Sequence, residues 1–422
     1  MNPCFRLPRL SLTLALLALV PVCPPARGAE PEVHVRDGLP NLGAPGARGE
    51  LRVAYLGGSI TAADDGWRTL TTDYLRAHYP QRRVMEIAAG VPGTGSNLGA
   101  CRLGRDVLRH HPDLVFVEFA VNDANAPAEL IERTMEGIVR QTWRANPRTD
   151  LCFVYTVSAP GLPYLEAGAY PPAARAMERV AAHYGIPSLH FGVEVARRVA
   201  RGALTFRNPA APRDPHTFSV DGVHPTPAGH RIYFHVLERA LPALLAAGPA
   251  GPHPLPPPLH ADNWEDATLR RFADLKRHGD WSQVAPDDAN LRGATKALLP
   301  PTWRAATPGA SVEFEFRGRS FGLVGVAAPD NGEFRVTVDD RPPVSGTFFD
   351  AFVSPTFCRE REWFFPGELA DGPHHVRVEL TGTHLDKAGI KATRGHALED
   401  PRAYAPHRLT LCGALIVGSP KP

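Results

Sequence analysis

The hydrophobic pattern of this chain changes its period at a proline-rich stretch, and this change constrains the fold more than any other feature. Before the stretch, short apolar runs alternate with amphipathic segments. Such runs are typical of strands buried on both faces of a parallel sheet. They cover residues 51–56, 83–87, 114–119 and 151–157. The alternation predicts an α/β domain with helices on both faces of the sheet.

The amphipathic segments between these runs predict helices. One follows Ala126-Pro127, because proline suits the first turn of a helix. Apolar residues then recur on one helical face, at Ile131, Met135, Ile138 and Val139. The other predicted helices cover residues 67–78, 98–110, 173–183 and 227–245.

After the proline-rich stretch the apolar period becomes two. Apolar and charged side chains alternate over residues 312–317 and again over 376–380. No long helical pattern interrupts this half, which therefore predicts an all-β sandwich, jelly-roll-like in arrangement. Asn331-Gly332 lies between two strand-like runs and indicates a hairpin. Residues 409–417 suggest a final strand pair.

The N-terminus has the pattern of a secretory signal peptide over residues 1–29. Arg6 and Arg9 form the basic segment, and the apolar stretch that follows is too short to span a membrane. A membrane anchor is the alternative, and the shortness of the apolar stretch argues against it. We therefore expect a secreted or periplasmic protein with no membrane span in its mature chain.

The stretch at residues 246–261 is rich in Pro, Gly and Ala. Such a composition supports neither a helix nor a strand ladder, and it indicates a semi-rigid linker. The sequence thus predicts a first domain over residues 30–247, a linker over 248–261 and a second domain over 262–422.

Charge and cysteine content exclude several classes of protein. Lys+Arg number 46 and Asp+Glu 44, and losing three leader arginines leaves 43 against 44. No extended basic cluster is present, so we expect no nucleic-acid partner. No histidines or cysteines have metal-ligand spacing, so we expect no metal and no cofactor.

Four cysteines remain after the leader is removed. Four cysteines allow three pairings, and the sequence does not choose among them. Cys152 lies inside an apolar run, so we expect it in the core. The four are Cys101, Cys152, Cys358 and Cys412.

Glycine-rich and polar loops follow three of the predicted strands, and a fourth precedes the last predicted helix, all at one edge of the sheet. Ligands of open parallel sheets bind at this edge, beyond the carboxyl ends of the strands. Each loop alone is typical of a turn or a helix cap, but four on one edge indicate an active site. They are Gly57-Gly58-Ser59-Ile60-Thr61, Gly90-Val91-Pro92-Gly93-Thr94-Gly95, Ala120-Val121-Asn122-Asp123 and Asp221-Gly222-Val223-His224-Pro225.

Together these loops supply the parts of a serine esterase. Ser59 is the candidate nucleophile, and His224 is a base that titrates in a suitable range. Asp221, three residues before the histidine, can accept a hydrogen bond from the imidazole and fix its tautomer. The backbone N–H groups of Ser59 and Gly93 and the side-chain amide of Asn122 are the candidate oxyanion-hole donors.

The four loops resemble the four sequence blocks of the SGNH hydrolases, also called the GDSL-type esterase family. Ser59, Gly93, Asn122 and His224 stand in the family's order, and the resemblance covers roughly residues 50–247. It implies a flavodoxin-like α/β/α sandwich and hydrolysis of acyl esters without a metal. The chain lacks Gly-x-Ser-x-Gly, which argues against the ordinary α/β-hydrolase elbow.

The chain departs from the family pattern in two blocks. The second block commonly begins with Asn, whereas Ala88-Ala89 precede Gly90 here. This leaves Gly93 and Gly90 as alternative oxyanion donors. In the third block Ala120 replaces the usual Gly, a small change.

An exported domain of this type joined to a β-sandwich is similar to multidomain carbohydrate esterases. We therefore expect a carbohydrate esterase that removes acetyl groups from a polysaccharide or oligosaccharide. The alternatives are a lipase or lysophospholipase, a polysaccharide O-acetyltransferase with the same triad, and a glycan-binding protein whose first domain is silent. The sequence leaves open the oligomeric state and whether the sandwich binds sugar.

Three further groups of residues have structural interpretations. Glu118 lies in a buried-looking strand near Asn122 and is expected to pair with a neighbour. His374-His375 lack metal-ligand partners and are expected to be solvated. Most of the tryptophans after the linker are expected to fill the core. These are Trp264, Trp281, Trp303 and Trp363.

Overall fold

The structure is a computed structural model that describes residues 29–44, 49–293 and 301–420, together with Met1. The predicted signal peptide lies outside the described residues except for its two ends. Among the helices described, none is both long enough and apolar enough to cross a membrane.

The first domain alternates strands and helices. Its strands are β1 (Val33–His34), β2 (Gly49–Gly57), β3 (Arg82–Gly90), β4 (Leu114–Glu118), β5 (Asp150–Tyr155), β6 (Ser188–His190), β7 (Thr205–Arg207) and β8 (Thr217–Ser219). Its helices are α1 (Ser59–Ala62), α2 (Trp67–His78), α3 (Ser96–Asp106), α4 (Ala128–Ala145), α5 (Leu162–Glu166), α6 (Pro172–His183), α7 (Phe191–Ala200) and α8 (Pro227–Ala246).

The main sheet has the strand order β1-β6-β5-β4-β2-β3. Strands β2 to β6 are parallel, and β1 pairs antiparallel with β6 at the edge. Numbered along the chain from β2, the parallel strands follow the order 2-1-3-4-5, which is the flavodoxin-like order. The predicted α/β fold is confirmed. The short β6 was not predicted, because its three residues run directly into α7 without a loop.

Helices cover both faces of this sheet. Alternate residues of β2 enter different cores: Ala54 and Leu56 pack with α3, α4 and α6, whereas Val53 and Tyr55 pack with α2, α7 and α8. The strand is therefore apolar at nearly every position, which is the pattern that its sequence shows. Cys152 of β5 is fully buried, as expected.

The second domain is antiparallel β. Its strands are β9 (Ala267–Arg271), β10 (Lys276–His278), β11 (Trp281–Gln283), β12 (Trp303–Ala305), β13 (Ser311–Ala327), β14 (Phe334–Val338), β15 (Val344–Gly346), β16 (Arg359–Phe364), β17 (Gly372–Leu380) and β18 (Leu409–Pro420). The short helices α9 (Lys387–Ala392) and α10 (Pro401–Tyr404) precede β18. The predicted all-β second domain is confirmed.

The long strand β13 organises this domain. Its first half pairs with β10 and β17, and its second half pairs with β16, while β18 runs beside it with register shifts. Two sequence predictions fail here. Asn331-Gly332 does not form a hairpin, because β17 pairs with both β13 and β14 and so separates them. Residues 409–417 lie in the single strand β18 rather than in a strand pair.

The predictions for single residues hold for the four tryptophans but not for His374. Trp264 is buried, and Trp281, Trp303 and Trp363 pack against the core of the second domain. The prediction for His374 is wrong: the residue is 8% exposed, and Nδ1 lies 2.8 Å from the carboxylate of Asp339.

Residues 247–266 form no helix or strand, and they lie against the first domain. His253 stacks on Trp143 with ring centroids 4.9 Å apart, and its Nε2 lies 2.8 Å from the Asp150 carboxylate. The backbone N–H of His260 donates to Glu136 of α4. Residues 247–266 therefore pack on α4 and lead into the second domain.

The two domains share buried apolar contacts. One core cluster contains Leu103 of α3 and Phe119 beside Val324 of β13 and Leu415 of β18. Trp264 joins the same cluster, 3% exposed. Helix α3 is thus packed between the first sheet and the second domain.

Candidate active site

The four loops predicted to carry chemistry meet at the carboxyl ends of the parallel strands. Ser59 begins α1 directly after β2, and Asn122 follows β4. Gly93 lies between β3 and α3, and His224 precedes α8. The parallel sheet brings these loops together because its strands all end at the same edge.

A buried carboxylate binds the loop that carries the candidate nucleophile. Glu118, at the end of β4, accepts hydrogen bonds from Thr61 Oγ1 at 2.8 Å, from Thr156 Oγ1 at 2.6 Å and from the backbone N–H of Gly58. Burial raises the pKa of Glu118, and the three donors act against that rise. Glu118 thus pairs with its neighbours, and two of them belong to the loop that presents Ser59.

Ser59, His224 and Asp221 form a hydrogen-bonded chain. Ser59 Oγ lies 2.8 Å from His224 Nε2, and His224 Nδ1 lies 2.6 Å from Asp221 Oδ2. With the ring proton on Nδ1, the imidazole donates to the carboxylate and accepts from the serine hydroxyl. The arrangement is that of a nucleophile, a base and a residue that orients the base.

Asp221 is fixed by more than the imidazole. Its Oδ1 accepts the backbone N–H groups of Val223 and His224, both at 2.8 Å, and the hydroxyl of Ser219 at 3.1 Å. Burial alone would raise the pKa of Asp221, but the hydrogen bonds from His224 and the neighbouring backbone bring that pKa well below its usual value. The Asp221 carboxylate is therefore charged at neutral pH.

The two glycines of the second loop differ in position. Gly90 pairs with Gly57 at the end of β3, and a Cβ there would lie 2.6 Å from the backbone N of Ala62. Gly93 is exposed in the loop and has a φ of +72°. Gly90 is thus used for close packing of α1, and Gly93 is the glycine at the open edge.

Asn122 lies against the nucleophile loop. A Cβ placed on Gly58 would come within 2.0 Å of Asn122 Oδ1, so only glycine permits this approach. The next residue, Asp123, accepts the backbone N–H of Ser96 at the start of α3. Burial raises the pKa of Asp123 to about 7. Asp123 joins the third loop to the second.

A side chain of the second domain that the sequence did not indicate lies at this edge. A Cβ placed on Gly93 would lie 2.3 Å from Nη1 of Arg359, the first residue of β16. Nothing in the local pattern around Arg359 points to a site, because residues 93 and 359 become neighbours only through the docking of the two domains.

The site is open to solvent. The side chains of His224 and Asp221 are 52% and 53% exposed. Among the residues that the structure describes, no group of three or more His, Cys, Asp or Glu side chains is arranged to hold a metal ion. The chemistry that these residues can perform is nucleophilic acyl transfer with a histidine base.

Structural comparison supports the two-domain architecture. The chain is similar to a two-domain esterase (CEX) active on acetylated mannans, whose structure has been solved alone and with mannopentaose. Sequence identities are 21% and 22%, with TM-scores of 0.68 and 0.67. Each alignment covers 89% of this chain and 92% of the other. At this level of identity the likeness shows a common fold.

Sequence comparison identifies the first domain. No curated protein sequence matches the chain. Residues 55–232 match the family model for GDSL-like lipases and acylhydrolases, and this span contains Ser59, Gly93, Asn122 and His224. The chain therefore contains a domain that matches the GDSL-like lipases and acylhydrolases.

Proposed function

We propose that this protein is a secreted serine esterase that removes acetyl groups from an acetylated polysaccharide or oligosaccharide. The observation that carries the proposal is the continuous hydrogen-bonded chain from Ser59 Oγ through His224 to Asp221, with separations of 2.8 and 2.6 Å. Each link has the length and polarity that acyl transfer by a serine requires.

In the first half of the reaction, Ser59 Oγ attacks the ester carbonyl and His224 Nε2 takes its proton. The positive imidazolium that forms is stabilised by the Asp221 carboxylate, which accepts a hydrogen bond from Nδ1. His224 then returns the proton to the departing sugar oxygen. An acetyl group remains on Ser59 as an ester.

In the second half, His224 removes a proton from water as the water attacks the acetyl-serine. His224 then returns that proton to Ser59 Oγ as acetic acid leaves, which ionises to acetate. Both halves pass through a tetrahedral intermediate whose oxygen carries negative charge. We assign the backbone N–H groups of Ser59 and Gly93 and the side-chain amide of Asn122 as its hydrogen-bond donors. Each such donor is typically worth about 3–4 kcal/mol of activation free energy.

Two observations support a carbohydrate substrate. The half-exposed histidine and aspartate lie at an open edge, which suits an ester on a large molecule better than a small molecule enclosed in a pocket. The similar two-domain structure belongs to an esterase active on acetylated mannans. The sequence pattern of residues 1–29 supports export, and sequencing the N-terminus of the secreted protein tests that part.

The test is release of acetate from acetylated mannan and xylan by the whole protein. Ser59→Ala should lower the rate at least about a thousand-fold. Ser282→Ala, which removes an exposed hydroxyl in the second domain, is the matched control and should leave the rate unchanged. Equal rates for the wild type and Ser59→Ala would refute the assignment.

The same preparation separates the alternatives. Faster hydrolysis of long-chain than of acetyl esters would identify a lipase-type enzyme. Transfer of a labelled acetyl group to a glycan, in preference to water, would identify an acetyltransferase. Glycan binding without any hydrolysis would identify a binding protein.

A further inference from the structure

Arg359 of the second domain lies beside the candidate oxyanion loop with one end of its guanidinium free. Its Nε lies 2.9 Å from Asp350 Oδ2, and its Nη2 donates to the same oxygen. Nη1 contacts the face of Gly93 instead, and among the described residues it donates to no protein acceptor, since both hydrogen bonds of the side chain run from Nε and Nη2. The Arg359 side chain is 18% exposed, and this nitrogen lies at the open edge without a protein acceptor.

The guanidinium is held in place from several sides. Asp350, 7% exposed, also accepts from Arg361 and from the backbone N–H of Phe352. The Arg359 guanidinium lies 5.4 Å from the centre of the Phe352 ring, and that of Arg394 lies 5.6 Å from it. Burial would raise the pKa of Asp350, but the two arginines bring it below its usual value. The carboxylate therefore stays charged and fixes the orientation of the Arg359 guanidinium.

The strand that carries Arg359 is anchored to the first domain. Glu360, the next residue of β16, is 4% exposed, and Arg102, Arg105 and Asp106 of α3 are among the charged groups that act on it. Helix α3 itself begins just after the loop that carries Gly93. One interface thus positions both the loop and the arginine.

We propose that Arg359 is a substrate-positioning residue that the second domain supplies to the active site of the first. Its Nη1 donates hydrogen bonds to an oxygen of the alcohol part of the ester, the sugar, when the acetyl group lies at Ser59. The proposal rests on the proposed esterase function and adds to it the means by which the sugar is recognised.

The chemistry favours the sugar over the acetyl group as the partner of Nη1. The carbonyl oxygen of the acetyl group has three donors assigned to it already, from Ser59, Gly93 and Asn122. An acetyl group offers no second acceptor, whereas a sugar offers hydroxyl and ring oxygens close to the ester. A guanidinium donor also needs no deprotonation and stays charged across the working pH range.

The experiment compares two acetyl esters, an acetylated manno-oligosaccharide and 4-nitrophenyl acetate, which has no sugar. The measured quantity is the ratio of kcat/KM for the oligosaccharide to kcat/KM for the aryl ester. Arg359→Met keeps the length of the side chain and removes its donors. We expect this variant to lower the ratio about 10- to 100-fold, as the loss of a charged hydrogen bond predicts. Arg359→Lys should restore part of it.

Arg361→Met is the matched control, because Arg361 binds the same Asp350 carboxylate but is not in contact with Gly93. It should leave the ratio unchanged. An unchanged ratio in Arg359→Met, or an equal fall in Arg361→Met, would overturn the proposal. If Arg359→Met fails to fold, the ratio is measured for Arg359→Lys. A fall in the ratio, smaller than that expected for Arg359→Met, would support the proposal, and no fall would overturn it. Absence of hydrolysis of both esters by the wild type would instead refute the esterase function itself.

Discussion

Replacing Asp221 by Asn tests the proposed mechanism at its most specific point. The two side chains have the same shape, but Asn carries an N–H₂ group where the carboxylate has an oxygen. Asp221 Oδ1 accepts two backbone N–H groups at 2.8 Å, while Oδ2 accepts from His224 Nδ1 at 2.6 Å. Whichever way the Asn amide is turned, one of these partnerships must change.

The backbone contacts decide which one changes. If the amide nitrogen faced the two backbone N–H groups, both would lose their acceptor, at a cost of about 1 kcal/mol or more for each. The Asn oxygen should therefore keep the position of Oδ1, and its N–H₂ group should face the imidazole. His224 then carries its proton on Nε2 and donates to Ser59 instead of accepting from it. This exchange in a Ser-His-Asp triad lowers kcat by about 10⁴-fold, or about 5 kcal/mol.

The assay is kcat for acetate release, measured alongside thermal unfolding of each variant. Asp221→Asn should lose about three to four orders of magnitude in kcat while its unfolding midpoint stays near that of the wild type. Ser219→Ala is the matched control, since it removes a 3.1 Å hydrogen bond to Asp221 Oδ1 and leaves the bond to His224 in place. It should retain most of the activity.

Two results would refute this reasoning. Asp221→Asn with more than about a tenth of wild-type kcat would show that the carboxylate does not set the histidine tautomer. An equal loss in Ser219→Ala would show that the loop needs every hydrogen bond, and that the imidazole contact has no special role.

Three further predictions concern the loop, the interface and the cysteines. Gly93→Ala should lower the free energy of unfolding by about 1–2 kcal/mol, because φ is +72° and the new Cβ would meet Arg359. The same variant should lower kcat. Full activity in Gly93→Ala would contradict the assignment of Gly93. Burial raises the pKa of Glu360 to about 7, so the folded protein holds a proton that the unfolded chain releases. The free energy of unfolding should therefore fall as pH rises from about 4.5 to 7, by at most about 3 kcal/mol. Denaturant titrations of Glu360→Gln should show a weaker dependence of this free energy on pH. The same dependence in the variant and the wild type would contradict the prediction. All four cysteines of the described residues are free and buried, so thiol reagents should label them only after unfolding, and a fall in the unfolding midpoint with reductant would contradict the free state.

Much of the first domain follows from local pattern. The apolar runs predict β2 to β5, and the amphipathic segment at residues 67–78 coincides with α2. Each of these elements is long enough to show a period, and strands buried on both faces leave a continuous apolar run. The three-residue β6 is too short to show a period, and α7, which follows it directly, was also missed although its sequence is amphipathic.

The candidate site follows from the sequence for the same reason that the sheet does. Ser59, Gly93, Asn122 and His224 each lie at the end of a predicted element, and parallel strands bring such ends to one edge. The structure adds distances and the roles of the supporting residues. The buried carboxylate of Glu118, for example, is seen to hold the loop of Ser59 only once its three donors are known.

What only the tertiary structure decided depends on contacts between residues far apart in the chain. The Asn331-Gly332 turn is not a hairpin because β17, which comes later in the sequence, pairs with β14 in place of β13. Arg359 reaches Gly93 because the second domain docks on the first through an interface that no local period encodes. The sequence by itself therefore determined the elements and the residue types of the candidate triad. The docking of the second domain determined which further side chain stands at the site.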